Sequence, residues 1–202
     1  HQADLVAVSA AVEARRSLTG EQRHMVQELC RSGRPVDVVI GRAGTGKTFT
    51  LDAIREAFEA SGHRVLGASL AARAARELQA GSGIGSSTAH ALYNAIDSGR
   101  LRLRSGDVLV IDEAGMLGTR LMAALAAEAG RAKAKMILVG DPKQLPAVEA
   151  GGLLAALAKR VEVIELVENR RQQDPEERFI TTALRRGLTE LAVRRLDDHG
   201  HI

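Results

Sequence analysis

A glycine-rich segment at residues 41–48, GRAGTGKT, constrains the fold of this chain more than any other feature. It matches the pattern G-x-x-x-x-G-K-[ST] of a phosphate-binding loop, which joins a buried strand to the start of a helix. Both neighbours are present, because the apolar run 36–40 precedes the segment and a helix-forming run at 49–60 follows it. The segment therefore predicts an α/β fold that binds a nucleotide.

Each residue type in this loop has a chemical task. Glycines let backbone N–H groups turn inward around a polyphosphate, and the N-terminus of the following helix adds partial positive charge. We expect Lys47 to reach the β- and γ-phosphates and the hydroxyl of Thr48 to ligate Mg²⁺. The residues predicted to surround the phosphates are Gly41, Ala43, Gly44, Thr45, Gly46, Lys47 and Thr48.

Strand-like and helix-like segments alternate along the rest of the chain. The predicted strands are 36–40, 64–68, 107–111, 136–139 and 161–166, and the predicted helices are 20–30, 48–60, 71–79, 88–97, 119–128, 153–159, 176–186 and 189–199. This alternation predicts a parallel sheet with helices on both faces. Residues 81–87 predict a flexible loop, and residues 1–17 a lead-in from a preceding region, with a helix as one option.

Composition restricts the class of protein without selecting one. The 202 residues are 45% hydrophobic and 26% charged, which is typical of a globular protein with one large domain. A net charge of +3 is compatible with nucleic acid but does not single it out. The single cysteine, Cys30, excludes an internal disulfide and a multi-cysteine metal site, and we expect it to be a packing residue.

The sequence also bears on location and completeness. No apolar stretch reaches the roughly 18 residues of a membrane span, so we predict no membrane segment and a cytoplasmic location. The chain does not begin with Met, and we expect a piece of a longer protein.

Two carboxylates follow the apolar run 108–111. Asp112, at the end of this predicted strand, is expected to hold Mg²⁺, and Glu113 to orient or deprotonate an attacking water. Such a pair often just ends a strand at the surface, but the phosphate loop makes the catalytic interpretation the stronger one.

A third segment, at 136–146, runs from an apolar strand into the turn GDPKQLP. The amide of Gln144 can donate to a γ-phosphate oxygen and accept from the attacking water, which makes it a candidate phosphate sensor. Asp141 either braces the turn or contacts the ligand.

Together, these three segments resemble motifs I, II and III of superfamily 1 DNA helicases. The resemblance is greatest to the RecD-like, 5′-to-3′ branch, which includes the helicase module of conjugative relaxases. It implies that residues 18–190 form a RecA-like, P-loop NTPase lobe (lobe 1A) and that 191–202 begin the connection to a second RecA-like lobe. It also implies ATP and Mg²⁺ as cofactors and single-stranded DNA as partner. We expect the isolated lobe to hydrolyse ATP weakly.

The same resemblance assigns further residues. Gln22 matches a glutamine that reads adenine, and Arg171, with Arg170 as the alternative, matches an arginine that contacts the γ-phosphate. Four residues correspond to positions near DNA: Ser69, Arg73, Thr88 and His90.

Several of these DNA contacts remain open. The segment Ser69-Leu70-Ala71 stands where many relatives carry Pro-Thr-Gly. Thr88 is suited to capping a helix, to bonding a phosphate, or to both, and His90 is equally suited to a structural role. The basic residues at 100, 102 and 104 indicate either a solvated face or a DNA-contacting hairpin.

Two other functions compete with the helicase interpretation. One is a different phosphate-loop enzyme such as a small kinase, which requires an acceptor-binding lid. The other is a non-enzymatic adaptor that binds nucleotide only to stabilise its fold. The acidic pair together with Gln144 fits attack by water better than transfer to another acceptor.

Overall fold

The computed structural model describes residues 1–41, 44–141, 153–167, 179–180, 183 and 187–198. The helices among them are α1 (Leu5–Glu13), α2 (Gly20–Arg31), α3 (Lys47–Ala60), α4 (Ala72–Ser82), α5 (Ala89–Asp97), α6 (Thr119–Ala132), α7 (Leu153–Ala158) and α8 (Thr189–Asp198). The strands are β1 (Val36–Gly41), β2 (Val65–Ser69), β3 (Ser86–Thr88), β4 (Val108–Ile111), β5 (Lys135–Gly140) and β6 (Val163–Leu166). A short 3-10 turn occupies Ala114–Met116.

Within the described residues, the strands form one six-stranded sheet in the order β3-β2-β4-β5-β1-β6. Every neighbouring pair is parallel, which confirms the predicted α/β, RecA-like fold. Strand β5 lies between β1 and β4, so the loop after β1 and the acids after β4 are separated by one strand. Because the strands are parallel, their carboxyl ends share one edge of the sheet.

Helices cover both faces of the sheet, as the sequence predicts. Side chains alternate between the faces along each strand. In β4, Val108 and Val110 join the core beneath α1 to α4, whereas Leu109 and Ile111 join the core beneath α5 to α7. Burial on both sides explains why the strand is a continuous apolar run.

The first residues of the chain belong to the same core. Val8 and Ala11 of α1 are buried against α2 and α3, and the guanidinium of Arg15 bonds the carboxylate of Asp52 on α3 at 2.6 Å. Cys30 is buried there too, and burial raises the pKa of its thiol to about 12, which fits the packing role expected for it.

The sequence does not predict one of the six strands, β3. Residues 86–88 form β3 at the edge of the sheet, paired with the end of β2, whereas the sequence predicts a flexible loop up to residue 87 and the start of a helix at residue 88. The segment is polar and three residues long, so it lacks the apolar run by which buried strands are identified; its partner strand supplies the backbone hydrogen bonds. The predicted helix 176–186 lies mostly outside the described residues.

Helix ends follow capping chemistry. Thr19 caps α2 and forms a capping box with Gln22. Thr88 caps α5 by accepting a hydrogen bond from the N–H of Ala91 at 3.1 Å. In the described part of the chain, the helices are too short or too polar to cross a membrane.

Candidate nucleotide-binding site

The predicted site residues meet at the carboxyl edge of the sheet. The phosphate loop follows β1, Asp112 and Glu113 follow β4, and Asp141 follows the intervening β5. Parallel strands bring these three ends together although the residues are far apart in the chain. The structure describes most of this loop, the exceptions being Arg42 and Ala43.

Two glycines, Gly44 and Gly46, determine the backbone shape of the second half of the phosphate loop. Gly44 and Gly46 have φ values of 83° and 75°, in the left-handed region that other residues rarely adopt. Gly46 is the N-cap of α3 and provides no side-chain cap, so no side chain there competes for the first N–H groups of the helix. An anion is the ligand that such a helix start favours.

Lys47 extends back over the start of the loop. Its Nζ donates a hydrogen bond to the carbonyl oxygen of Gly41 at 2.7 Å. A Cβ at position 41 would lie 2.5 Å from the Cδ of Lys47, so a larger residue there would have to displace the lysine side chain. The ammonium group is therefore held at the loop rather than in open solvent.

The charge of Lys47 influences the pKa of Asp112, the acid that follows β4. Burial raises the pKa of the Asp112 carboxyl above its ordinary value, while a hydrogen bond from the N–H of Glu113 and the positive charge of Lys47 oppose the rise. The hydrogen bond measures 2.9 Å. Loop and acid thus interact electrostatically across β5, and Asp112 occupies a position where a cation would favour its ionised form.

Glu113 is held by both its backbone and its side chain. Its φ of 53° and ψ of 34° place a non-glycine residue in the left-handed region, a conformation found disproportionately at functional sites. Its Oε2 accepts a hydrogen bond from the Oγ of Ser69 at 3.2 Å. The carboxylate therefore has a defined direction at the end of β2 and β4.

The end of β5 is packed tightly against the turn that follows Glu113. A Cβ at Gly140 would lie 3.3 Å from the backbone nitrogen of Gly115 and 2.6 Å from the Cδ2 of Leu154. A Cβ at Gly115 would lie 3.8 Å from the carbonyl oxygen of Asp141, so Asp141 lies beside the turn that follows the acidic pair. Two further predicted catalytic residues, Gln144 and Arg171, lie outside the described residues.

Gln22 is placed next to the phosphate loop, yet its amide faces protein atoms. The side chain is 1% exposed. Its Nε2 donates to the carbonyl oxygen of Thr45 at 2.9 Å, and its Oε1 accepts from the N–H of Thr19 at 3.0 Å. Adenine recognition by Gln22 stays a prediction; the contact with the loop is new. Only the capping-box spacing T-x-x-Q hinted at a fixed amide in the sequence.

The residues predicted to contact DNA range from buried to exposed, with Thr88 half-buried. Ser69 is fully buried against Glu113, which argues against a DNA contact for its hydroxyl. Arg73, on the first turn of α4, is exposed and pairs with Glu77 at 2.8 Å. His90, on the first turn of α5, is also exposed. No signal in the sequence indicated that Ser69 approaches the acidic pair.

The basic segment between α5 and β4 contains no strand in residues 98–107, all of which the structure describes, so the hairpin alternative is not formed. Arg100, Arg102 and Arg104 are exposed, and Leu101 and Leu103 between them are half-buried. The alternation is that of a solvated basic face anchored by its leucines.

Known proteins resemble this chain. A probable conjugal transfer protein TraA from Sinorhizobium fredii is 40% identical over 167 residues, which cover 83% of this chain and 15% of that protein. The ATP-dependent RecD2 DNA helicase from Deinococcus radiodurans is 36% identical over 164 residues, 79% of this chain and 22% of the relative. The chain therefore spans less than a quarter of either curated relative.

Among solved structures, the Hef helicase domain from Pyrococcus furiosus matches with a TM-score of 0.53 at 14% identity, over 77% of this chain and 40% of that chain. At this identity the likeness concerns the fold alone. The model of the AAA domain family matches residues 17–202. With the phosphate loop, the paired acids and the parallel sheet in place, the chain belongs to the AAA domain family and is similar to segments of TraA and RecD2.

Proposed function

We propose that this chain is the ATP-binding motor lobe of a 5′-to-3′ superfamily 1 DNA helicase, within a conjugative relaxase-helicase. The observation that carries the proposal is a shared sheet edge: the phosphate loop with Lys47 follows β1, and Asp112 and Glu113 follow β4, with one strand between them. A phosphate-binding lysine, a metal-binding acid and a base are the groups that hydrolysis of a γ-phosphate requires. The TraA and RecD2 relatives support the assignment to DNA transfer and unwinding.

The described residues fit a divalent cation. Asp112 offers a half-buried carboxylate whose pKa is raised by desolvation, and a bound cation would favour its ionised form. Thr48 offers a hydroxyl on the first turn of α3. When bound, Mg²⁺ would neutralise charge on the β- and γ-phosphates.

The remaining roles divide among the side chains at the edge. Lys47 binds the β- and γ-phosphates, and Glu113 orients the attacking water and takes its proton. Ser69 holds the Glu113 carboxylate in place. Gln144 and Arg171 are assigned to sensing and contacting the γ-phosphate.

In the parent protein, a second RecA-like lobe completes the cleft. Hydrolysis then opens and closes the two lobes and moves the enzyme along single-stranded DNA. The isolated lobe binds nucleotide and Mg²⁺ but hydrolyses slowly.

ATP hydrolysis with and without single-stranded DNA tests this function, together with nucleotide binding by fluorescence. Glu113→Gln should keep nucleotide binding and lose turnover by about 10²- to 10⁴-fold, because only the base is removed. Lys47→Ala should lose binding itself. Glu59→Gln, at the far end of α3, serves as the control and should match the parent sequence.

Two results would contradict the proposal. Unchanged ATP hydrolysis in Glu113→Gln would show that Glu113 is not the general base. Phosphate transfer to an acceptor other than water would favour a kinase. If the unsubstituted chain showed no ATP hydrolysis and Lys47→Ala still bound its partner, the non-enzymatic adaptor would be favoured.

A further inference from the structure

We propose that Gly81, the last residue but one of α4, is a positioning residue for Thr48, the expected ligand of Mg²⁺. Because Gly81 has no side chain, the methyl group of Thr48 fits against α4, and this contact sets the direction of the Thr48 hydroxyl. The inference rests on the proposed nucleotide site. It adds to that site a helix to which no role in nucleotide or metal binding is otherwise assigned.

The end of α4 lies against the first turn of α3, the helix that follows the phosphate loop. A Cβ at Gly81 would lie 2.5 Å from the Cγ2 of Thr48 and 3.4 Å from its Cβ. The methyl group of Thr48 therefore occupies the space that a side chain at position 81 would need. Gly81 lies within a helix, where glycine is less favourable than alanine, so its backbone conformation does not require glycine. The contact with Thr48 does.

The shape of threonine links this contact to the metal. Its Cβ bears a methyl group and a hydroxyl group, which turn together about χ1. Thr50 shows one orientation common in helices, because its hydroxyl donates to the carbonyl of Gly46 at 3.1 Å. The Thr48 hydroxyl has no such bond to any described residue. Packing of its methyl against Gly81 is thus what orients it toward a ligand.

Helix α4 is anchored at this end, so it does not readily retreat from a new side chain. Leu78, Ser82 and Ile84 are each at most 1% exposed. The carbonyl of Ser82 accepts a hydrogen bond from the Nε of Arg55 on α3 at 2.8 Å, and its hydroxyl donates to the carbonyl of Leu78 at 2.6 Å. Rotation of Thr48 about χ1 is a smaller displacement than breaking these contacts.

Gly81→Ala tests the role of this glycine. The new methyl group would take the place of the Thr48 methyl and turn the hydroxyl away from the metal. The affinity of ADP would be measured by titration calorimetry, once with Mg²⁺ and once with a chelator instead. We expect binding with Mg²⁺ to weaken by roughly tenfold, as for other groups that orient a metal ligand. Binding without Mg²⁺ should stay the same, because it does not use the hydroxyl as a metal ligand.

A second substitution tests whether the effect passes through Thr48. Thr48→Ser keeps the hydroxyl and lacks the methyl, so the alanine at position 81 has nothing to displace. The double variant Gly81→Ala, Thr48→Ser should bind ADP with Mg²⁺ within about twofold of Thr48→Ser alone.

Gly130→Ala is the matched control for a gain in helix propensity. Gly130 is likewise an exposed glycine near the end of a helix, α6, but a Cβ there would have no heavy atom of another part of the chain within 4 Å. Both affinities should be unchanged in this variant.

Three outcomes would overturn the proposal in distinguishable ways. Unchanged ADP affinity with Mg²⁺ in Gly81→Ala would remove the role of Gly81 and leave the nucleotide site intact. A loss that is equal without Mg²⁺, or that persists in the Thr48→Ser background, would show that α4 moves and disturbs the whole loop instead. If the unsubstituted chain bound no ADP in either condition, the nucleotide site itself would fail, and this role with it.

Discussion

At the scale of single residues, the Glu113 carboxylate is set by two local constraints. Its left-handed backbone turns the chain sharply after β4, and the hydroxyl of Ser69 bonds its side chain from the neighbouring β2. The backbone conformation costs free energy that the surrounding packing must offset. The hydroxyl then selects one direction for the carboxylate.

Removing this hydroxyl should slow turnover. We expect Ser69→Ala to lower kcat for ATP hydrolysis by about fivefold, the equivalent of one net hydrogen bond, with KM unchanged because the nucleotide contacts remain. Ser69→Thr keeps a hydroxyl and should recover most of the rate. A raised KM with normal kcat would show that Ser69 acts on binding instead.

The half-buried acid Asp112 predicts a pH dependence of stability. Its pKa in the folded protein is raised above the ordinary value of 3.8, chiefly by burial. A raised carboxyl pKa contributes stability that is fully present below the unfolded pKa and is lost as pH rises through the folded pKa. At neutral pH without Mg²⁺, the ionised form therefore lowers stability.

Asp112→Asn should consequently have a higher unfolding temperature than the parent sequence at neutral pH in the absence of Mg²⁺. The difference should vanish below pH 3.8, where the carboxyl is protonated in both states. Thermal unfolding over a pH series measures this. A variant less stable than the parent at neutral pH would mean that other groups stabilise the ionised acid.

At the scale of elements, a buried polar cluster joins β1 and β5 at the amino edge of the sheet, opposite the nucleotide site. The ammonium of Lys135 is fully buried. It donates to the carboxylate of Asp37, to the Oγ of Ser32 at 2.8 Å and to the carbonyl of Arg34 at 2.9 Å. All three of its donors are used, as a buried charge requires.

The two members of this ion pair should respond unequally to substitution. Asp37→Ala leaves a buried ammonium without its counter-charge and should cost about 3–5 kcal/mol of unfolding free energy. Lys135→Met should cost much less, because methionine fits an apolar interior and Asp37 keeps Ser32 and Arg34 as partners.

Urea unfolding measures both changes. Glu77→Gln, which alters an exposed pair with Arg73, is the control and should unfold like the parent sequence. Equal losses in Asp37→Ala and Lys135→Met would show that the pair stabilises the protein as a unit, contrary to this expectation.

At the scale of the whole molecule, the site lies at one edge of a single sheet. An arginine supplied from outside such a site, as from a second lobe, typically accelerates hydrolysis by roughly 10³-fold or more. The proposed function therefore makes this chain dependent on further protein for full activity.

We expect a longer protein that contains this lobe and the second lobe to hydrolyse ATP at least about 10³-fold faster than this chain on single-stranded DNA. Only that two-lobe protein should separate the strands of a forked DNA duplex, which gel assays measure. Unwinding by these 202 residues alone would contradict the assignment of a single lobe.

The sequence by itself determined the parallel α/β fold, the phosphate loop, the acidic pair and the helix cap at Thr88. These features are encoded locally, because apolar runs, glycine spacing and capping residues act within a few positions of one another. The carboxyl-edge position of the loop and the acids then follows from any parallel arrangement of their strands.

Only the tertiary structure decided which side chains meet. The order of the strands places β5 between loop and acids, and the polar edge strand β3 exists because β2 pairs with it. The bond from Gln22 to Thr45 joins positions 23 apart, that from Ser69 to Glu113 positions 44 apart, and that from Lys135 to Asp37 positions 98 apart. Local patterns carry no information on such pairs, because their geometry arises only when separate elements pack against one another.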